Sequence, residues 1–396
     1  MQQAFVIIAG GGPAGISTAL FLAHAAPGLA DRIVVLEKAR YPREKYCAGG
    51  VGARADKLLA SIGVVVDVPS VWLDGIAFRA MERTTTVREG AIGRVVRRIE
   101  FDHALARIAM SRGIRVLEDA AVSAIRPFSG GVEVDSRAGV FRAPALVGAD
   151  GVQSIVRRAL GFGSTRYRAQ AIELDTEPVD SDLPRDVLLF DATNRQLPGY
   201  YWDFPTLVDG KEMVCRGVYL LKTGANDPRV EIQDILSEQL QARGLSLSSF
   251  RKKRYAERGF EPHRPVSRPH VLLVGEAAGI DPVTGEGIAQ AIQYGAIAGR
   301  YLARRQREQN FSFTDWPRQV RRTMIGRDLV VREKGVSLFY GEARPAIERF
   351  LLDSPDFIRI GLQHFAGKRW SRRAIARAGW GALRYTARFG WDHRPA

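Results

Sequence analysis

Short apolar runs alternating with helix-forming stretches set the rhythm of the first third of the chain. Phe5-Val6-Ile7-Ile8-Ala9 is a continuous apolar run, the pattern of a strand buried on both faces. Pro13 suits a first helical position, and residues 14–25 are rich in helix formers. Pro27 and Gly28 break that helix, and residues 32–37 (RIVVLE) predict a second strand. Further on, the pattern predicts a helix over 101–110, a short strand at 114–116 and a hairpin about Arg137-Ala138-Gly139. A buried run at 145–149 follows. From 161 to about 264 the grammar changes. Alternating segments at 187–190 and 214–221 predict antiparallel strands, with one helix near 230–243. The first pattern returns at 271–275, followed by a long helix over 286–305.

Composition agrees with a globular chain of about two domains: 396 residues, 46% hydrophobic and 26% charged. Two cysteines, Cys47 and Cys215, argue against a disulfide framework and suit a reducing cytoplasm. The opening apolar run meets Gly10, Gly11 and Gly12 at once, which makes it too short for a signal peptide or a membrane span. The 58 Lys+Arg against 43 Asp+Glu leave a charge of +15, an attraction for anionic partners. Part of that excess sits at the end, where Lys368, Arg369, Arg372, Arg373, Arg377, Arg384, Arg388 and Arg394 face only Asp392. Trp370, Ile375, Trp380, Leu383, Tyr385 and Phe389 alternate with them. Two arrangements satisfy that pattern: a basic amphipathic helix on an anionic bilayer, or a helix packed on the body with its arginines solvated. Nucleic-acid binding has only net charge behind it, without helix-turn-helix, zinc spacing or RNA-binding motif, and none is expected.

Gly10-x-Gly12-x-x-Gly15 lies between a strand and a helix, where each glycine has a mechanical task. The first permits a tight turn, the second lets backbone approach a pyrophosphate, and the third lets helix and strand pack closely. Pro13 and Ala14 open the helix whose N-terminus faces the phosphates. Glu37 ends the second strand, placed to accept bonds from a ribose diol. This much predicts a dinucleotide and does not separate FAD from NAD.

Gly148-Ala149-Asp150-Gly151-x-x-Ser154-x-x-Arg157 and Gly275-Glu276-Ala277-Ala278-Gly279, continuing to Asp281-Pro282-x-Thr284-Gly285-x-Gly287-Ile288, each follow a buried strand. Together they resemble the fingerprints of the FAD-dependent p-hydroxybenzoate hydroxylase-like superfamily. The resemblance implies FAD, with Asp150 and Gly151 near it, Glu276 facing the ribityl chain, and Gly285, Gly287 and Ile288 approaching the isoalloxazine. Small residues at 285 and 287 suit a helix N-terminus that stabilises negative charge on a reduced flavin. The family's usual arginine falls on Arg98, and Lys38 and Val122 complete the implied cofactor-binding set. Glu276 stands where the family usually has Asp, one methylene shorter.

Arg43-Glu44-Lys45-Tyr46-Cys47-Ala48-Gly49-Gly50 resembles the Cys-Gly-Gly segment of the geranylgeranyl reductase family, with Ala48 in place of a common Gly. Tyr200-x-Trp202-x-Phe204-Pro205 is similar to that family's aromatic substrate motif, and period-two spacing puts its three aromatics on one strand face. The resemblance covers residues 1–305. It implies Cys47 and Gly49 beside the flavin, and Tyr200, Trp202 and Phe204 against an apolar substrate. The implied reaction reduces C=C bonds of an isoprenoid or similarly apolar chain by hydride transfer from flavin N5. The proton would come from Cys47, Tyr200 or water, and the electrons from NAD(P)H or a ferredoxin-like donor, since no second GxGxxG unit is visible. Flavin-dependent halogenases share the fold, with a lysine aligned with Lys45 and an aromatic-Pro motif. This chain lacks their Gly-Glu-Ser after the lysine and has Phe-Pro where they have Ile-Pro. An FAD-dependent monooxygenase or halogenase acting on an aromatic metabolite is the alternative.

The architecture expected is α/β. A discontinuous Rossmann-like FAD-binding domain (1–75, 95–160 and 265–310) holds a mixed or antiparallel-sheet substrate domain (76–94 and 161–264). A basic helical C-terminal segment (311–396) follows.

Overall fold

The apolar runs read from the sequence become one sheet. A computed structural model of the chain describes residues 1–224, 227, 229–368 and 376. Val6–Ala9, Ile33–Leu36, Arg115–Leu117, Ala145–Gly148 and Val271–Leu273 pair in parallel, with Val6–Ala9 between Ala145–Gly148 and Ile33–Leu36. Ser267–Arg268 closes one edge antiparallel. Every residue of the strands at 6–9, 33–36, 145–148 and 271–273 is buried, which explains why they read as unbroken apolar runs. The Pro13–Ala25 and Ile288–Glu308 helices cross closely on one side, where a Cβ at Gly295 would stand 2.5 Å from the Ser17 Cβ. A smaller four-stranded sheet, including the hairpin of Gly131–Ser136 and Gly139–Ala143, covers the other end.

An eight-stranded sheet forms the second layer. Its order is Lys253–Arg258, Arg168–Thr176, Lys211–Lys222, Gly199–Val208, Val187–Asp191, Ser70–Ala80, Arg83–Val96 and Gly50–Gly52. All neighbours are antiparallel except Val187–Asp191 with Ser70–Ala80. The sheet draws in residues 50–52 and 70–96, a wider stretch than the 76–94 expected. The reason is pairing: the hairpin that turns at 81–82 extends back to Ser70 and on to Val96, and Gly50–Gly52 pairs with the end of its second strand. One face carries Leu197, Tyr201, Val218 and Leu220 and is covered by the Ile232–Gln241 helix through Ile235, Leu236 and Leu240. The opposite face carries Trp202, Phe204, Tyr219 and Leu221, with Tyr200 beside them.

Residues 313–366 are part of the body. Helices at Trp316–Arg322, Met324–Tyr340, Arg344–Asp353 and Pro355–Phe365 follow one another. Phe313, Trp316, Ile325 and Leu329 belong to the main core, and the Trp316 indole N–H donates to Leu273 O at 3.1 Å. The basic amphipathic helix expected within 367–396 lies outside the described residues, apart from Gly367, Lys368 and Ala376. Among the described residues no helix is long and apolar enough to cross a membrane.

Candidate active site

The N-terminus of the Pro13–Ala25 helix is buried, and no side chain caps it among the described residues. Its first amide N–H groups are therefore available to an anion. Two guanidinium groups converge there: Arg43 Nη2 and Arg98 Nη2 each lie 3.8 Å from where a Cβ on Gly12 would stand. Asp102, fully buried, holds both arginines, accepting a fork from Arg98 at 2.7 and 2.7 Å and pairing with Arg43 at 3.1 Å. Glu37 accepts from the Gly11 N–H at 2.9 Å and from the Ala39 N–H at 3.1 Å, which fixes its carboxylate at the strand end. The Ala120 N–H donates to Glu37 O at 2.8 Å, bringing the segment before Val122 to the same place. Exposed Lys38 and half-buried Val122 thus flank one end of the cleft.

Three sequence-distant fingerprints meet at this helix. Gly10, at φ +103°, lets its turn lie against Ala149 and Asp150: a Cβ there would come within 2.5 Å of Ala149 O. Gly275, at φ +58°, makes room for Ala14, whose Cβ would stand 2.6 Å from a Cβ at 275. Glu276 Oε2 lies 3.5 Å from the Cβ position of Gly151. Asp150 spends Oδ2 on the Ile155 and Val156 amides at 2.7 and 3.2 Å. Its Oδ1, like Glu276 Oε1, is buried with no partner among the described residues. Burial pushes both carboxyls above their ordinary range. Two orphaned carboxyl oxygens beside an uncapped helix N-terminus and two arginines are what the hydroxyls and pyrophosphate of FAD require. The residues fit that cofactor: Gly12, Ala14, Arg43 and Arg98 would hold the pyrophosphate, and Asp150 and Glu276 the polyhydroxyl chain.

The segment expected at the isoalloxazine is fixed by side chains from elsewhere. Asp281 accepts from the Val283 N–H at 2.8 Å and the Thr284 N–H at 3.2 Å, turning the chain toward Gly285 at φ +67°. Three consecutive carbonyls then accept phenolic O–H groups: Pro282 from Tyr219 at 3.1 Å, Val283 from Tyr340, and Thr284 from Tyr200 at 2.5 Å. Arg332 of the Met324–Tyr340 helix pairs with Asp281, with Glu286 at 3.4 Å and with Asp328 at 3.0 Å. Gly287 precedes the Ile288–Glu308 helix without a side-chain cap among the described residues.

Facing this loop, the large sheet grades from acidic to aromatic. Register puts Tyr255, Ala171, Tyr219 and Tyr200 in one row across four strands, and Lys253, Glu173, Gly217 and Trp202 in the next. At the aromatic end Phe190 lies 5.2 Å from Tyr200 and 5.3 Å from Phe204, and Tyr200 stacks on Tyr219 at 5.2 Å. Phe204 Cε2 reaches to 3.6 Å from a Cβ position on Gly50, which seats this wall against the Cys47 segment. At the other end Glu173 Oε1 accepts the Cys47 N–H at 3.0 Å, and Oε2 accepts the Tyr255 O–H at 3.2 Å. A cavity of about 10 Å³ between them is lined by Lys45, Cys47, Arg97, Arg98, Glu173 and Lys253. A larger open depression of about 860 Å³, with Phe5, Arg32 and His270 on its wall, shares no residue with this cluster.

Electrostatics divide the cluster into protonated and charged members. Burial raises the Cys47 thiol, against the lowering influence of Arg98, so it stays a thiol. Burial likewise pushes Glu173 up to about 7, partly offset by Lys253. Glu257 is pushed well above the ordinary carboxylate range, by burial and by neighbouring Glu276. Its Oε2, 2.6 Å from the Cβ position of Gly285, is shielded from solvent and has no partner among the described residues. A carboxyl raised in the folded state binds its proton more tightly there than in the unfolded chain. Its stabilising effect is therefore present below the unfolded value of 4.5 and is lost as pH rises through about 7. Glu173→Gln should accordingly flatten the decline in urea midpoint between pH 5 and pH 8. An unchanged decline would assign it to other groups.

Sequence motifs brought the glycines, Glu37, Arg98, Asp150, Glu276, Cys47 and the aromatic triad to one cleft. They did not find Glu173, Tyr255, Glu257, Asp102 or Arg332. The signal for the first three was present as polar alternation, Glu173-x-Asp175 and Lys253-x-Tyr255-x-Glu257, facing inward where apolar residues would be expected.

Comparison with known proteins agrees with this geometry. Residues 3–311 match the family model described as FAD binding domain. Digeranylgeranylglycerophospholipid reductase of Methanosarcina mazei is 28% identical over 317 residues, covering 74% of each chain. A geranylgeranyl bacteriochlorophyll reductase-like structure from Thermoplasma acidophilum superposes with a TM-score of 0.68 at 20% identity, covering 98% of both chains. The flavin-dependent brominase Bmp2 superposes with a TM-score of 0.70 at 18% identity, covering 98% of this chain and 100% of that one. The resemblance read from the sequence to geranylgeranyl reductases is thus matched by a reductase relative, and the fold is shared with the brominase. The chain belongs to the FAD-binding domain family and is an FAD-dependent oxidoreductase.

Proposed function

We propose that the enzyme reduces C=C bonds in an isoprenoid or similarly apolar chain. The observation that carries this reading is the aromatic wall of Phe190, Tyr200, Trp202 and Phe204, seated directly against the Cys47 segment. Such a wall binds an extended apolar chain by surface burial and offers little to a polar ring. The M. mazei relative, a digeranylgeranylglycerophospholipid reductase by name, supports the same substrate class. When bound and reduced, the flavin supplies the hydride. The chain's own residues do the rest. Tyr200, Tyr219 and Tyr340 hold the 282–284 carbonyls and so orient the loop toward Gly285 and Gly287. The apolar wall excludes water, and the Cys47 thiol, kept protonated by burial, donates a proton to the second alkene carbon. Electrons come from NAD(P)H visiting transiently or from a ferredoxin-like donor.

The deciding experiment is anaerobic. Reduced enzyme mixed with a geranylgeranyl diphosphate or lipid should reoxidise its flavin and yield a product heavier by two hydrogens. Turnover that waits for air, with oxygen or halide in the product, would replace this reading with the monooxygenase or halogenase one. Within it, Cys47→Ala should leave FAD bound and slow anaerobic reduction about a hundredfold, the usual scale of a lost general acid. Single-turnover rates at wild-type level would remove Cys47 from the chemistry.

A further inference from the structure

The Met324–Tyr340 helix is apolar on two sides, and the fold accounts for one of them. Ile325, Leu329 and Val336 are buried, and on that side Arg332 pairs with Asp281 while the Tyr340 O–H donates to Val283 O. The exposed positions are Met324, Arg327, Val331, Lys334, Ser337 and Leu338. At about 100° per residue, all of these but Ser337 fall within an arc of about 80° on the opposite side. Met324 is 69% exposed, Val331 68% and Leu338 39%. They form one ridge along about 20 Å of helix, with Arg327 and Lys334 on its flank. Single exposed apolar side chains are ordinary, but a continuous ridge of them marks a binding surface.

The charge around the ridge is of one sign. Neither Arg327 nor Lys334 makes an ion pair among the described residues. Arg318, Arg321 and Arg322 of the preceding Trp316–Arg322 helix are exposed as well. The two acids of the Met324–Tyr340 helix are engaged elsewhere: Asp328 pairs with Arg332 at 3.0 Å, and Glu333 accepts the Tyr167 O–H at 2.9 Å. A second copy seated on the ridge would bring Arg327 and Lys334 into a seam against their own counterparts, where they would repel and lose water. An anionic bilayer suits both features at once, since acyl chains take the apolar ridge and headgroups take the cations. Among the described residues no helix is long and apolar enough to span it, so the contact is one of surface.

We propose that the outer face of the Met324–Tyr340 helix docks on an anionic membrane, lying in the headgroup plane with Met324, Val331 and Leu338 inserted. The inner face of the same helix holds the flavin loop, which places that loop one helix diameter, about 10 Å, from the bilayer. For the reductase reading, on which this consequence alone rests, a lipid-borne isoprenoid chain has only that distance to rise.

The test uses the full-length FAD-loaded enzyme and co-sedimentation with vesicles. Wild type should bind vesicles of phosphatidylcholine mixed with phosphatidylglycerol and bind pure phosphatidylcholine far more weakly. It should be released in about 1 M salt, where the screening length is about 3 Å. Arg327→Gln with Lys334→Gln should lower the partition coefficient about thirtyfold, the effect of two basic side chains lost at the headgroups. Met324→Gln with Val331→Gln keeps good helix formers and should lower it about tenfold. These side chains lie on the face away from the flavin loop, so FAD content and urea midpoint should stay at wild-type values. In both double variants KM for a geranylgeranyl lipid in mixed vesicles should rise with kcat unchanged, and turnover of soluble geranyl diphosphate should not change. Vesicle binding at wild-type strength in both double variants would overturn the docking face. So would a dimer in analytical ultracentrifugation that M324Q/V331Q dissociates. Variants that lose the vesicles, in an enzyme that saturates no prenyl substrate, would leave the docking standing and overturn the reductase reading alone.

Discussion

Gly15→Ala is expected to yield a colourless protein with its secondary structure intact and its FAD lost. A Cβ at this position would sit far inside contact distance of the Gly10 carbonyl oxygen, 3.1 Å from the Gly10 carbonyl carbon and 3.2 Å from Ile8 Cγ2. The first obstacle is backbone, so no rotamer change can relieve it. Helix and turn must separate by about an ångström or more, at the overpacking cost of about 1–3 kcal/mol. That separation falls on the uncapped helix N-terminus, where amides, Arg43 and Arg98 have to meet one pyrophosphate together. A misfit of about 3 kcal/mol there corresponds to roughly a hundredfold in Kd. Flavin absorbance after gel filtration and FAD titration of the apoprotein by fluorescence quenching would measure it. A yellow variant with wild-type Kd would show that the turn tolerates the methyl group and that the cradle lies elsewhere.

Arg332→Met is expected to be the most destabilising single change among the helices past 311. The guanidinium pairs with Asp281, whose side chain is fully buried, and with Asp328 and Glu286. Methionine fills similar volume but leaves carboxylates facing one another without their shared cation. Breaking a buried ion pair from one side costs about 3–5 kcal/mol. Arg54 still pairs with Glu286, and His364 Nε2 lies 3.3 Å from Asp328, so the loss falls chiefly on Asp281. The effect should reach the cofactor, because Asp281 shapes the turn before Gly285. Urea unfolding should show the stability loss, and FAD affinity should weaken in parallel. Adding Asp281→Asn should recover part of the loss, a non-additivity that only contacting residues display. Stability within about 1 kcal/mol of wild type would mean that the network is solvent-screened and the helix only leans on the loop.

This second case shows what charge counting misses. A balance of +15 suggests an attraction for anionic partners. Yet Arg54, Arg94, Arg157, Arg216 and Arg344 are buried, and Arg216 is fully enclosed between Asp182 and Asp203, each at 2.8 Å. Part of the arginine content therefore holds the interior together and is unavailable to a partner. The helices at 316–365, read from the sequence as part of a basic helical C-terminal segment, carry Trp316 in the main core and Arg332 and Tyr340 on the flavin loop.

What the sequence by itself determined was local. Glycine spacing at 10, 12 and 15 specifies a turn because an absent Cβ is a property of one residue. Apolar runs specify buried strands, and alternation specified that Tyr200, Trp202 and Phe204 share a face while Tyr201 takes the other. Tertiary structure alone decided which groups meet. Asp102 joins Arg43 to Arg98, Glu173 reaches Cys47 across 126 positions, and Arg332 reaches Asp281 across 51. The same packing raises Glu173 to about 7, since desolvation depends on what surrounds a carboxyl and not on its neighbours in the chain.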